Sequence, residues 1–76
     1  MAVSAELDLR GEVCPYTFVK TKLALENLRP GQILRVLVDN DDSGENVPRS
    51  VRMEGHQILE ASKVNPTDWA ILVQRG

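Results

Sequence analysis

Polar and apolar positions alternate at the start of the chain with period two. Glu6–Arg10 reads Glu-Leu-Asp-Leu-Arg, which sets Leu7 and Leu9 on one face of a short strand and Asp8 on the other. Gly11 interrupts that rhythm, and beyond Cys14-Pro15 the residues Phe18, Thr21, Leu25 and Leu28 recur at helical spacing. Proline suits the first helical position, where its missing N–H would have had no partner, so the pattern makes Cys14 the N-cap of helix one. Arg29-Pro30-Gly31 ends that helix. Gln32–Asp39 is rich in Ile, Leu and Val and short for a helix, and it reads as a largely buried strand.

Asn40-Asp41-Asp42-Ser43-Gly44 has the composition of a loop, since all of these residue types favour turn geometries. Helix two follows, with Val47 and Val51 four apart and Gly55 placed for a left-handed C-terminal cap. Pro48 costs little in a first turn but about 3 kcal/mol inside a helix, so helix two is expected to begin near Glu45–Val47 or to bend there. Gln57–Val64 reads as a strand and Asn65-Pro66-Thr67-Asp68 as a turn. Trp69–Gln74 then alternates Trp69, Ile71 and Val73 against Ala70, Leu72 and Gln74, closing a hairpin that leaves a free strand edge. The order βαβαββ predicts an α/β (α+β) two-layer sandwich: a mixed four-stranded sheet with both helices on one face. Residues 1–76 are expected to form a single domain, with 1–5 a flexible N-terminus.

Composition narrows the function more than the fold. Seventy-six residues leave room for one small core, and 42% hydrophobic with 26% charged residues is ordinary for a folded soluble domain. A net charge of −2 and aromatics at only 4% argue against direct nucleic-acid binding, which needs basic surface and stacking platforms. No apolar run is long enough to span a membrane and residues 1–10 do not resemble a signal peptide, so the expected location is cytoplasmic. One cysteine and one histidine supply neither a disulfide nor a usual zinc site, so no metal is expected.

That cysteine is the one residue with obvious chemistry. At a helix N-terminus its sulfur would face unpaired backbone N–H groups and the positive end of the helix dipole, and both favour thiolate over thiol. Such cysteines have pKa values well below about 8.5, and the thiolate is the sulfur nucleophile. The alternative is a small apolar residue buried where strand one meets helix one. Placement beside Pro15 at a strand-to-helix junction is what catalysis would need, so both readings stay open on the residues alone.

Leu7-Asp8-Leu9-Arg10-Gly11, Cys14-Pro15, a Lys-bearing helix, the Pro30-Gly31 turn, a second helix with Pro48, and Gly55-His56 together resemble the TusA/SirA-like sulfur-carrier family. The likeness runs from Leu7 to the end and agrees with the element order. It implies that Cys14 takes up a sulfane sulfur as a persulfide and passes it on, a sulfurtransferase activity that uses no cofactor. It also implies a donor protein of the cysteine desulfurase or rhodanese type and an acceptor protein. The family motif is Cys-Pro-x-Pro, whereas this chain has Thr17 at the last position. In the third helical position Thr17 would add a backbone N–H, and its hydroxyl, to the surroundings of the sulfur.

Other residues carry two readings each. Tyr16, Val19 and Leu23 share a stripe roughly opposite the Phe18/Leu25/Leu28 face, and with Lys20 they form either a docking patch for the sulfur donor or the margin of a broad core face. Arg10, Lys20 and Lys22 either lend positive charge to the thiolate or are simply solvated. His56 reads as a surface or hinge residue rather than a general base, and Trp69 as a core or sheet-face residue rather than a binding platform. Arg49 and Arg52 on helix two suit a partner or solvent equally. Two functional alternatives to the carrier remain: a thiol redox module that forms mixed disulfides through Cys14, and a non-catalytic regulatory module that binds a partner protein.

Overall fold

In the centre of the sheet, Leu34, Val36 and Val38 alternate inward along one strand and stand opposite Val73, Ile71 and Trp69 of an antiparallel neighbour. The computed structural model describes residues 3–12 and 16–76. Its elements are β1 (Ala5–Asp8), α1 (Tyr16–Glu26), β2 (Ile33–Val38), α2 (Asp41–Met53), β3 (Gln57–Lys63) and β4 (Trp69–Gln74). The sheet order is β1-β2-β4-β3, with β1 parallel to β2 and the other two pairings antiparallel. This is the expected mixed sheet. Its edges are β1 and β3, and β3 carries a register shift between Ile58 and Glu60. Such a bulge, with Lys63 at the strand end, discourages pairing to another sheet.

Strand parity places both helices on one face. Leu34, Val36, Val38, Ile71 and Val73 project to the same side of the sheet by register, and they cluster there with Leu25 of α1 and with Val47 and Val51 of α2. All eight are essentially inaccessible to water. Each such aliphatic side chain contributes about 1.5–3 kcal/mol relative to exposure. Phe18 and Leu28 pack against the cluster from the margin, so the predicted inward face of helix one is observed, with Thr17 and Thr21 as its polar members. Thr21 satisfies its buried hydroxyl by donating to the Thr17 carbonyl at 2.7 Å. On the open face Glu6 and Arg35, direct partners across β1 and β2, form an ion pair at 3.1 Å.

Three expectations need correction. Residues 41–44 are not a loop: α2 begins at Asp41, four residues ahead of the Glu45–Val47 start expected from Pro48. Asn40 is its N-cap, in extended conformation, and its side chain accepts a 2.7 Å hydrogen bond from the Ser43 N–H. Asp41 and Asp42 occupy the first turn, where negative charge meets the positive end of the helix dipole. Pro48 lies inside the helix, and burial of Ser43, Gly44, Val47, Pro48 and Val51 outweighs the lost backbone bond. Strand one covers Ala5–Asp8 rather than Glu6–Arg10, because Arg10 and Gly11 form a turn in which Gly11 has a φ of +90°. Ser4 also joins the sheet edge, its N–H donating to the Ile33 carbonyl at 2.8 Å, so the stretch read as a flexible N-terminus is anchored at its inner end. Gly55, with a φ of +93°, follows α2 where the C-terminal cap was expected, and β4 coincides with the predicted Trp69–Gln74.

Candidate functional site

The parallel strands β1 and β2 end at the same side of the sheet, and each runs into a connection that leads to a helix. Those two connections are tied together. Leu9 continues the β1 pairing by donating its N–H to the Leu37 carbonyl at 2.8 Å. Gly11 N–H then donates to Asp39 Oδ2 at 2.7 Å, and Asn40 Nδ2 donates to the Glu12 carbonyl at 3.2 Å. Both Asp39 and Asn40 belong to the link between β2 and α2. Asn40 therefore works at both ends of its amide: the oxygen caps α2 and the nitrogen holds the chain at Glu12.

Val13, Cys14 and Pro15 lie outside the described residues, so the proposed roles of Cys14 and Pro15 rest on sequence. The chain is again described at Tyr16, where α1 runs on to Glu26. One turn of contact joins this end of α1 to the start of α2, because Thr17 Oγ1 and Ser43 Oγ are 3.1 Å apart and both residues are fully buried. The segment that contains Cys14 thus enters from Glu12, held by Asn40, and leaves into α1, held through Thr17 and Ser43. Lys20 makes an ion pair with Glu12 across the same segment.

The other candidates are spread more widely. Arg10 is engaged by Asp8, which accepts from its Nε at 2.9 Å and its Nη2 at 2.7 Å, and it also stands 3.9 Å from Asp68. Those side-chain bonds, with a third from the Arg10 backbone N–H, hold the Asp8 carboxyl at a pKa of about 2. Lys22 pairs with Glu54 at 3.3 Å, linking α1 to the end of α2. Tyr16, Val19 and Leu23 are exposed by 61%, 47% and 54%, which resolves their position in favour of an open stripe rather than a core margin. His56 accepts a 3.1 Å hydrogen bond from the Gly76 N–H through Nδ1, a structural contact at the chain end. Trp69 is half-buried on the helix side of the sheet, as a sheet-face residue, with its indole N–H donated to Asp41 Oδ1 at 2.9 Å.

Sequence reasoning missed Asp39, Asn40 and Ser43 as organisers of this corner. The signal was present: an Asn followed by two acidic residues is an N-cap with a favourable first turn.

A match to the model of the family described as Sulfurtransferase TusA extends over residues 5–75. The chain belongs to the TusA family. Its relatives include a protein of Archaeoglobus fulgidus, 51% identical over 69 residues that cover 91% of this chain and 78% of the relative. A Thermotoga maritima protein is 46% identical over 72 residues, covering 95% and 91% of the two chains. Both bear the name "Putative sulfur carrier protein". Among solved structures, a SirA-like protein from Desulfitobacterium hafniense superposes with a TM-score of 0.82 at 30% identity, covering 95% of this chain and 97% of that one. The solution structure of HP1264 from Helicobacter pylori shares the fold, with a TM-score of 0.71 over 92% of this TusA-family chain and 95% of its own.

Proposed function

We propose that this protein is a sulfur carrier that receives a sulfane sulfur on Cys14 as a persulfide and relays it to a partner protein. The observation that carries the reading is the cysteine's position in a TusA-family chain, between a strand end and a helix whose flanks are both fastened to the start of α2. Fixed flanks suit a nucleophile that must meet a donor and an acceptor in turn, because they limit the ordering needed at each encounter.

In the first step the Cys14 thiolate attacks the outer sulfur of a donor persulfide. A new S–S bond forms on Cys14, the donor S–S bond breaks, and the donor leaves as a thiolate. In the second step an acceptor thiolate attacks the outer sulfur now on Cys14, and Cys14 returns to its thiolate. The sulfane sulfur moves without net oxidation, by close analogy with thiol–disulfide exchange. The exposed Tyr16, Val19 and Leu23, with Lys20 beside them, supply an apolar face on the helix that begins at this site, and it suits contact with the donor.

Intact-protein mass spectrometry after incubation with a cysteine desulfurase and cysteine, or with rhodanese and thiosulfate, tests the reading. The wild type should gain one sulfur that reductant removes, and Cys14→Ser should gain none. No gain from either donor would overturn it. Thiol titration of Thr17→Pro tests the supporting role of Thr17: the variant is expected to titrate at higher pH than the wild type, and an unchanged or lower value would count against that role.

A further inference from the structure

On the flank of α2 turned away from α1, a cavity of about 530 Å³ opens between the helix and the β3–β4 hairpin. Gly44, Pro48, Ala61 and Trp69 line it, with Arg49 and Arg52 at its mouth and Met53, 83% exposed, at its rim. We infer that this cavity is a docking site for an acidic segment of a partner protein, which would place a carboxylate against Arg49 and Arg52 and an apolar side chain on Trp69.

Charge is the first ground. Arg10, Lys20, Lys22, Arg35 and Lys63 each reach a carboxylate within the chain. Arg49 and Arg52, like Arg29 and Arg75, form no ion pair among the described residues, and of these four only Arg49 and Arg52 stand three apart on one face of a helix. Glu45 also lines the cavity, one turn before Arg49, yet it makes none either. Two guanidiniums against one carboxylate leave the mouth positive on a chain whose net charge is −2, so local complementarity runs opposite to the overall sign.

The floor is the second ground. Trp69 is fixed from three sides before any partner arrives: its indole N–H is donated to Asp41, the Lys63 ammonium lies 5.4 Å from its ring centroid, and Gly44 lies against the ring. A Cβ on Gly44 would fall 2.7–2.8 Å from the indole atoms, so only glycine allows the ring this close to the helix. The platform needs no ordering on binding, and Trp, Arg and Met are the side chains over-represented at protein interfaces. An open mouth with an exposed methionine rim suits a protein segment better than an enclosed small molecule. The cavity is lined by α2 and the β3–β4 hairpin, and the inference does not depend on sulfur chemistry at Cys14.

Trp69 is the single tryptophan of the chain and reports directly on its own site. The full chain and its Cys14→Ser form are titrated with a blocked hexapeptide alternating Glu and Leu, with a Lys/Leu hexapeptide of equal length, and with free glutamate and inorganic phosphate. Trp69 fluorescence and the heat of binding are followed. The acidic peptide should give a saturable response in both forms of the protein, with the lysine peptide giving none. Arg49→Gln and Arg52→Gln, exposed and conservative, should together weaken binding about tenfold or more. Absence of any response to the acidic peptide, or equal affinity in the double variant, would overturn the inference. Equal saturation by free glutamate or phosphate would also overturn it, by making the cavity a small-anion site.

Discussion

Replacing Asn40 by alanine removes two hydrogen bonds made by one side chain, and the structure separates their effects. The first is the N-cap bond from Ser43 N–H at 2.7 Å, the second the 3.2 Å bond to the Glu12 carbonyl. Loss of an Asn cap costs about 1 kcal/mol, and loss of an ordinary intramolecular hydrogen bond costs about 1 kcal/mol more. Asn40→Ala should therefore be less stable by about 2 kcal/mol, a large share of the roughly 4–11 kcal/mol expected for a domain of this size. The matching fall in Tm is about 8–16 °C. Serine caps as well as asparagine does but is too short to reach Glu12, so Asn40→Ser should recover about half of the loss. Urea unfolding followed by far-UV circular dichroism measures both variants, with an unchanged m-value as the sign that only stability moved. If Asn40→Ser falls as far as Asn40→Ala, the cap is not the source of the effect. If neither variant is destabilised, the reasoning about this corner is wrong altogether.

Gly44→Ala forces a Cβ to within 2.7–2.8 Å of the Trp69 ring. The expected overpacking cost of about 1–3 kcal/mol exceeds the gain of about 1 kcal/mol in helix propensity, so urea unfolding should show a net loss together with a shifted tryptophan emission. A double-mutant cycle of Thr17→Val and Ser43→Ala should give a coupling of about 1 kcal/mol, and additive effects would show that the 3.1 Å contact between their hydroxyls contributes nothing. Asp8, ordinarily titrating near 3.8, is held at about 2 by Arg10. A depressed carboxyl stabilises the folded state above the unfolded pKa and loses that contribution as pH falls through the folded one, so stability should drop between about pH 4 and pH 2. Asp8→Asn should flatten that part of a stability profile against pH.

Period-two alternation was sufficient for β4, whose limits and inward residues Trp69, Ile71 and Val73 were legible because the strand lies between two others and is covered by helices on one side. The inward face of α1 was legible too, Thr21 included, apart from Thr17. Its burial is matched by a hydroxyl partner at Ser43, 26 positions away, which no local pattern contains. The start of α2 was misread for a physical reason. Asn40 through Gly44 have the composition of a turn, and the same residues make an N-cap and an acidic first turn when the following residues are buried. Pro48 pushed the reading the wrong way, since propensity counts the lost hydrogen bond and not the tertiary burial that offsets it. The framework on either side of Cys14-Pro15 was not legible. Asp39 and Asn40 act on Gly11 and Glu12 across 28 positions of sequence, a separation that only the parallel pairing of β1 with β2 closes.

That pairing also sets how the corner can open. β1 has four residues and a single neighbour in the sheet, whereas β2 and β4 are each flanked on both sides. Short edge elements leave the native structure at lower free energy than the strands they lean on. When β1 lifts from β2, the Leu9, Gly11 and Glu12 bonds to Leu37, Asp39 and Asn40 are released with it, while the central Leu34–Val73 and Val36–Ile71 pairs stay in place. β1 and the approach to Cys14 are therefore expected to open at lower free energy than the β2–β4 pair. In hydrogen exchange, the amides of Leu9 and Gly11 would exchange together, ahead of those of β2 and β4.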